Sequence, residues 1–358
     1  MIRDCIAKLV RKEDLLPDEA EEAMTEIMSG KASDAQIASF ITALRMKGET
    51  VEEITAFASV MRRFCIRINP SITGNLVDTC GTGGDSIKTF NVSTIAALIA
   101  AGAGVYIAKH GNRSVTSKCG SADLLEALGF NLNMSPESVK DSIEKIGIGF
   151  MFAPVFHPAM KYAVGPRREI GIRTVFNILG PLTNPAGAKA QILGVCEKNI
   201  LKPVARVLKN LGVEKAMVVH GSDGLDEISI TGRTDVFLLS NGRIVPKHIE
   251  PEDFGLKRAD KNSIQISSKE ESVKAALEIL RSHEEGDDRL VSKRNMALMN
   301  AAAAIFIGGK AKNLSEGFEL AKESLKSGAA YDKLRDLIRY SGGNMSILEE
   351  FERNGRLP

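Results

Sequence analysis

The sequence has no excess of charge of either sign: 47 basic and 45 acidic side chains leave a formal net charge of +2. So even a balance gives no electrostatic footprint for generic nucleic-acid binding, although a local anion site is compatible with it. CxxC pairs are also missing. The five cysteines, Cys5, Cys65, Cys80, Cys119 and Cys196, come no closer than fifteen residues, which excludes a CxxC metal or redox pair. An odd, scattered count fits reduced thiols in the cytoplasm. Long apolar runs are absent as well. The N-terminal stretch carries charges in every turn, unlike a signal peptide. Residues 89–108 are uncharged, but Asn91, Ser93, Thr94, Gly102 and Gly104 interrupt them, and the apolar core at 95–101 is far short of the ~20 residues a membrane span needs. There is no GxSxG, HExxH or kinase signature, so no nucleophile triad or zincin site is expected. Fixed-period repeats and low-complexity linkers are missing too.

What is present is an ordinary globular composition, 44% hydrophobic and 26% charged. At 358 residues the chain exceeds what one core usually fills, so two domains are expected. The first seventy residues read as all-helical. Ser33 or Asp34 can cap a helix with Ile37, Phe40, Ile41 and Leu44 on one face, and Gly48 is placed to stop it. Thr50 and Glu53 form a capping-box pattern before Ile54, Phe57, Ala58 and Met61. After residue 71, short apolar runs at 76–77, 105–108, 150–153, 192–195, 216–219 and 236–239 alternate with helical stretches such as 121–128, 136–146 and 201–211. That alternation predicts an α/β fold: a small all-helical domain plus a large domain with a mostly parallel central sheet flanked by helices. Asn241-Gly242 predicts a hairpin at one sheet edge, and the chain returns to helix from about Lys269.

Four polar motifs follow the predicted strands: DTCGTGGD at 78–85, KHGNR at 109–113, His157-Pro158, and HGSDGLDE at 220–227. Ligands of open α/β sheets bind beyond the carboxyl ends of strands, so four such loops can share one cleft. Gly81, Gly83 and Gly84 let backbone N–H groups approach an anion, but the run is neither a dinucleotide fingerprint nor a P-loop. Asn91, Ser93 and Thr94 then open a helix, either as phosphate ligands or as a plain N-cap. The run KHGNRSVTS at 109–117 suits a polyanion bearing sugar hydroxyls, or is a solvated loop. Asp226-Glu227 suits Mg²⁺ shared with phosphates, or is a solvated turn. Arg167-Arg168 can fork onto a carboxylate or phosphate, or pair with Glu169. His110 and His157 are candidate site residues, whereas His248 and His283 lie in polar stretches that read as surface.

With DTCGTGGD at 78–85, NVST at 91–94, KHGNRSVTSKCGSAD at 109–123, GPRREIGIRTVFNILGPLTNP at 165–185 and HGSDGLDEIS at 220–229 in one order, the chain resembles the anthranilate phosphoribosyltransferase family over nearly its whole length. The resemblance implies the nucleoside phosphorylase-like fold, with a helical domain at 1–70 that dimerises, a return segment at 165–190, and a large domain at 71–358. It implies transfer of phosphoribosyl from 5-phosphoribosyl 1-diphosphate to anthranilate, with Mg²⁺, two ions per subunit. By motif, Gly81, Gly84, Asp85, Thr89, Asn91, Val92, Ser93, Thr94, Lys109, His110, Gly111, Asn112, Arg113, Ser114, Val115, Thr116, Ser117 and Ser121 would bind phosphoribosyl diphosphate. Ser93, Asp226 and Glu227 would bind metal, and Gly81, Asn112, His110, His157 and Arg167 would serve anthranilate. No residue is expected to act as a general base, and the expected setting is a cytoplasmic homodimer free of nucleic acid and membrane. The alternatives are a pyrimidine nucleoside phosphorylase of the same fold and a non-catalytic, nucleic-acid-binding member. The acidic loop and KHGN favour the transferase over the first, and the neutral charge argues against the second.

Overall fold

The fold comes from a computed structural model that describes residues 1–84, 87–114, 118–281 and 286–354. Four helices come first: α1 (Ile2–Val10), α2 (Pro17–Met28), α3 (Asp34–Lys47) and α4 (Val51–Phe64). Their ends follow the expected chemistry. Ser33 Oγ accepts from Gln36 N while the Gln36 side chain accepts from Ser33 N, and Thr50 and Glu53 make the same reciprocal pair. Gly48 stops α3 at φ +92°, a conformation that favours glycine.

The sheet has seven strands in the order β3-β2-β1-β4-β5-β6-β7. These are β1 (Leu76–Gly81), β2 (Tyr106–Gly111), β3 (Ile148–Phe152), β4 (Ala190–Gly194), β5 (Lys215–Gly221), β6 (Thr234–Ser240) and β7 (Arg243–Ile249). β1 to β5 run parallel, with α5 (Val92–Gly102), α6 (Ser121–Ala127) and α7 (Pro136–Ile146) among the crossovers. β6 and β7 are antiparallel, joined through Asn241 (φ +50°) and Gly242 (φ +70°), so the expected hairpin is present.

Strand order reverses between β1 and β4. The chain winds outward from β1 through β2 to β3, then crosses back to lay β4 on the other side of β1. Open α/β sheets bind ligands at such a switch point. Here Gly81 ends β1 in register with Gly194 at the end of β4.

Several expected loops prove to be strand. β1 runs through Asp78 to Gly81, β2 through Lys109 to Gly111, and β5 through His220 to Gly221. Polar letters made these segments look like loop starts, yet Asp78, Thr79 and Lys109 are buried inside the sheet, where hydrogen bonds compensate them.

Alternate residues of a strand face opposite layers. Ile192, Met217 and Val219 enter one core with α5 and the C-terminal helices, while Leu193, Ala216 and Val218 enter a second core. That second core is continuous with the apolar faces of α1 to α4 and with Ala163, Val175, Phe176, Leu179 and Leu182. Arg62 of α4 adds a polar tie, donating to the carbonyls of Leu182 at 2.8 Å and Leu211 at 3.0 Å.

Inside the helical unit, the fully buried Glu53 accepts from the backbone N–H of Leu15 (2.9 Å) and Thr50 (2.8 Å) and from Lys47 Nζ (2.9 Å). Removing the carboxylate strands two amides and leaves Lys47 with only its exposed partner Asp14, at 2.6 Å. Glu53→Ala is expected to lower unfolding stability by about 3–5 kcal/mol, read from urea midpoints, and Glu53→Gln to recover part of that. Equal midpoints for wild type and Glu53→Ala would show the network contributes nothing.

Candidate active site

The carboxyl ends of β1, β2, β4 and β5 surround a cleft of about 320 Å³. Its floor is set by glycines. A methyl group on Gly194 would collide with the backbone of Asp226, and one on Gly81 with the Asp226 carboxylate. Without those methyls, Asp226 seats against both strand ends and its Oδ2 accepts from Gly83 N at 2.7 Å. Thr82 closes the same corner: its N–H donates to Gly194 O at 2.9 Å, and its Oγ1 accepts from Cys196 N at 3.3 Å. Burial pushes the Asp226 carboxyl above its ordinary range, and the Gly83 N–H opposes that shift. Reading Asp226 as part of a solvated turn is therefore incorrect, since it is only 9% exposed. Glu227 lines the cleft beside it.

The opposite wall is the start of α5. Asn91 occupies the N-cap position but does not cap; its side chain donates to Cys119 O at 3.0 Å and accepts from Ser272 Oγ at 2.7 Å. The first turn of α5 therefore carries no side-chain cap; Val92 N donates to Phe90 O at 2.7 Å and Thr94 N to Asn91 O at 3.1 Å, so what it offers an anion is chiefly the positive end of the helix dipole. This favours the phosphate reading of NVST over the plain cap. Thr94 Oγ1 is buried with no hydrogen-bond partner, a polar atom left over at the same helix start.

Lys109 projects from β2 into this wall. Its buried ammonium donates to Thr79 O at 2.5 Å and Ser93 Oγ at 3.2 Å. Desolvation lowers its pKa, and the buried Asp78 on the neighbouring strand opposes that. Thr79 Oγ1 in turn donates to Ser93 O at 2.9 Å, so β1, β2 and α5 share one polar seam. At the outer edge Asp123 gathers the N–H groups of Ser114 and Gly120, both at 2.9 Å, and Arg113 forks onto Glu126 at 2.6 and 2.7 Å.

Of the residues singled out in the sequence, the cleft lining brings together Gly81, Gly84, Thr89, Asn91, Val92, Ser93, Thr94, Lys109, His110, Gly111, Asn112, Arg113, Ser114, Ser121, Asp226 and Glu227. Asp85, Val115, Thr116 and Ser117 lie outside the described residues, as does His283. His157 and Arg167 are not in the lining. His157 stands behind His110, ring centroids 4.9 Å apart, and Arg167 stacks over Phe176 at 5.1 Å. The lining also includes Arg173 and Asn177, which sequence reasoning missed. The adjacent pair Arg167-Arg168 is the stronger signal in that segment, and nothing in its spacing marks Arg173. Among the described residues, no group of three or more histidine, cysteine or acidic side chains could hold a metal. The Asp226-Glu227 pair offers hard oxygens, a donor set suited to a magnesium ion that shares substrate oxygens.

Residues 73–331 match the glycosyl transferase family, a/b domain, and residues 3–65 the glycosyl transferase family, helical bundle domain. A curated anthranilate phosphoribosyltransferase from Persephonella marina is 50% identical over 343 residues, spanning 96% of this chain and 100% of that one. The crystal structure of anthranilate phosphoribosyltransferase from Thermus thermophilus is similar at a TM-score of 0.87 and 41% identity, covering 95% of this chain and 99% of that one. The anthranilate phosphoribosyltransferase of Saccharomyces cerevisiae in complex with PRPP and Mg is similar at a TM-score of 0.87 and 29% identity, covering 95% and 98%. Fold and cleft thus define a glycosyl transferase with a helical bundle and an a/b domain. Within that class, the chain belongs to the anthranilate phosphoribosyltransferase family.

Burial holds both histidines neutral: the His110 pKa falls to about 3 and that of His157 to about 4, in each case mainly through desolvation. Their Nε2 atoms are buried with no partner. In the unfolded chain both would titrate near ~6.5, so below that pH the unfolded state binds protons the folded state refuses. Stability therefore falls as pH drops from about 6.5 toward 4. Between pH 7 and 5 each histidine is expected to remove about 2 kcal/mol. Urea unfolding of His157→Gln should show a loss smaller by about that amount, and an identical loss would mean His157 is charged in the fold.

Proposed function

We propose that the protein transfers the phosphoribosyl group of 5-phosphoribosyl 1-diphosphate to the amine of anthranilate, releasing diphosphate, the second step of tryptophan biosynthesis from chorismate. The observation that carries this is the pairing, across one cleft at the sheet's switch point, of the Asp226 carboxylate with the uncapped start of α5. Such a cleft offers an acid for a cation and the positive end of a helix dipole for an anion. The relatives' name and the yeast complex with PRPP and Mg support the same reading. A pyrimidine nucleoside phosphorylase of the same fold is not favoured.

In this reading the glycine loop, the start of α5 and the 109–121 segment hold the diphosphate and the ribose phosphate, with Asp85, Val115, Thr116 and Ser117 assigned from the motifs alone. Asp226 and Glu227, with the Ser93 hydroxyl, would hold magnesium, two ions per subunit. When bound, that metal neutralises charge on the departing diphosphate. The protein's own residues do the rest. The α5 dipole is preorganised toward the leaving charge and needs no reorientation. Lys109 fixes Ser93 and Thr79, and thereby the wall on which the substrate lies. An arylamine is neutral at pH 7, so positioning substitutes for a strong base. Gly81, Asn112, His110, His157 and Arg167 would receive anthranilate.

We also propose the division at residue 70, with 165–190 returning to the helical domain, and a cytoplasmic homodimer formed through that domain. Val10, Leu16 and Met46 are 69%, 63% and 78% exposed there, which supports an apolar contact. Among the described residues, no helix is long and apolar enough to cross a membrane.

The direct test is loss of anthranilate fluorescence on mixing the protein with both substrates and Mg²⁺; no loss, with no diphosphate released, would sink the reading. Because Asp226 is buried and holds Gly83, alanine would disturb the loop itself, so the metal assignment is better tested with Asp226→Asn combined with Glu227→Gln. Half-maximal activity should then require at least ~tenfold more Mg²⁺. Arg167→Ala should raise the anthranilate KM at least ~tenfold and leave that for phosphoribosyl diphosphate nearly unchanged. The opposite split in steady-state titrations would make Arg167 a phosphate ligand.

A further inference from the structure

A cleft that binds a diphosphate needs cationic donors not already committed elsewhere. Three lysine or arginine side chains line it among the described residues: Lys109, Arg113 and Arg173. Lys109 is committed to the Thr79 carbonyl and the Ser93 hydroxyl. Arg113 is forked onto Glu126 and also touches Asp123 at 3.2 Å. Among the described residues, Arg173 makes only one long hydrogen bond, from Nη2 to Thr82 O at 3.4 Å. A guanidinium has five N–H donors in a planar fork, so most of its capacity is uncommitted.

The backbone that carries Arg173 is firmly held. Thr174, Val175 and Phe176, which follow it, are all buried, and Thr174 N donates to Asn177 Oδ1 at 3.0 Å. Arg173 itself is half-buried and lies over the glycine loop, where a methyl group on Gly84 would collide with the guanidinium. Gly84 also has φ +86°, a backbone conformation that favours glycine. The positive charge is close enough to Asp226 to oppose the burial that pushes that carboxyl upward. Arg173 therefore sits on the glycine-loop and acid side of the cleft, apart from the stack of Arg167 on Phe176.

We propose that Arg173 is a diphosphate-binding residue: its guanidinium exchanges the long bond to the Thr82 carbonyl for a two-pronged grip on the diphosphate seated between the glycine loop and Asp226. The inference rests on the function proposed above and adds a ligand to it. A carboxylate of the aromatic acid is the weaker candidate, because the doubly phosphorylated group carries more charge and shares this side with the acidic pair.

The test is calorimetric titration of inorganic diphosphate, with and without Mg²⁺, into the wild type, Arg173→Gln and Arg173→Lys, followed by KM values for both substrates. Arg173→Gln should weaken diphosphate binding about tenfold or more, and Arg173→Lys by a smaller factor, because an ammonium lacks the planar fork. The KM for phosphoribosyl diphosphate should rise in parallel while that for anthranilate stays level. Unchanged or tighter diphosphate binding in Arg173→Gln would make Arg173 a latch on Thr82 and overturn the proposal, as would a rise confined to the anthranilate KM. If Arg173→Gln melts well below the wild type, Arg173→Lys decides alone: equal diphosphate affinity refutes the grip. The two readings fail separately. A wild type that binds diphosphate but does not consume anthranilate fails the function proposed above, whereas an active wild type with an indifferent Arg173→Gln fails only this one.

Discussion

The hydrogen bond from Gly83 N to the Asp226 carboxylate is the contact on which the cleft depends. It joins the loop after β1 to the loop after β5, across the end of β4. Three features make it feasible. Gly194 and Gly81 have no side chains to hold Asp226 away, and parallel pairing puts both glycines at one height in the sheet. The reversal of strand order between β1 and β4 leaves space above them. A buried carboxylate with one strong donor is under-compensated, which is the electrostatic condition for attracting a cation. The glycines therefore matter twice, once for the approach of backbone to backbone and once for the unmet charge it creates.

A second constraint runs along the strands. Polar groups in a sheet interior are costly unless hydrogen-bonded, yet Asp78, Thr79 and Lys109 are all buried there. Each meets a partner across strands: Asp78 accepts from His110 N at 3.2 Å, and Lys109 reaches Thr79 and Ser93. These bonds fix the positions of α5 and the end of β2 more narrowly than apolar packing would, because hydrogen bonds are directional. The dipole at the start of α5 is consequently preorganised, whereas a mobile loop would have to order on binding.

Much of this was legible in the sequence. Helix ends at Ser33, Thr50 and Gly48 and the hairpin at Asn241-Gly242 depend on local chemistry, which sequence displays directly. The gathering of three of the four polar motifs in one cleft followed from alternation alone, whereas His157 stands behind His110. Less legible were features that need the third dimension. Asp78 and Lys109 looked like loop residues because burial of a charge is decided by neighbours on other strands. Asp226 looked solvated because its cover, Gly81 and Gly194, lies over thirty residues away in sequence. Arg173 stayed unmarked because the adjacent Arg167-Arg168 pair was the louder signal. Which of these arginines faces the cleft depends on how the segment's apolar residues enter the core.

The cleft is electrostatically two-sided, and the chemistry needs both sides. The start of α5, its dipole backed by the buried Lys109, faces Arg173 across the glycine loop, and this side of the cleft suits charge that grows on a leaving diphosphate. The other holds His110 with His157 behind it, both kept neutral by burial. If anthranilate is received there as proposed, an imidazolium would place positive charge beside an amine that must approach an already electron-poor ribose carbon, and would repel the transition state. A neutral imidazole leaves the amine's lone pair available and still offers a polar edge to an aromatic acid. In the proposed reading, desolvation of the histidines thus complements the α5 dipole: one removes unwanted positive charge from the nucleophile's side, the other supplies it on the side of the leaving group.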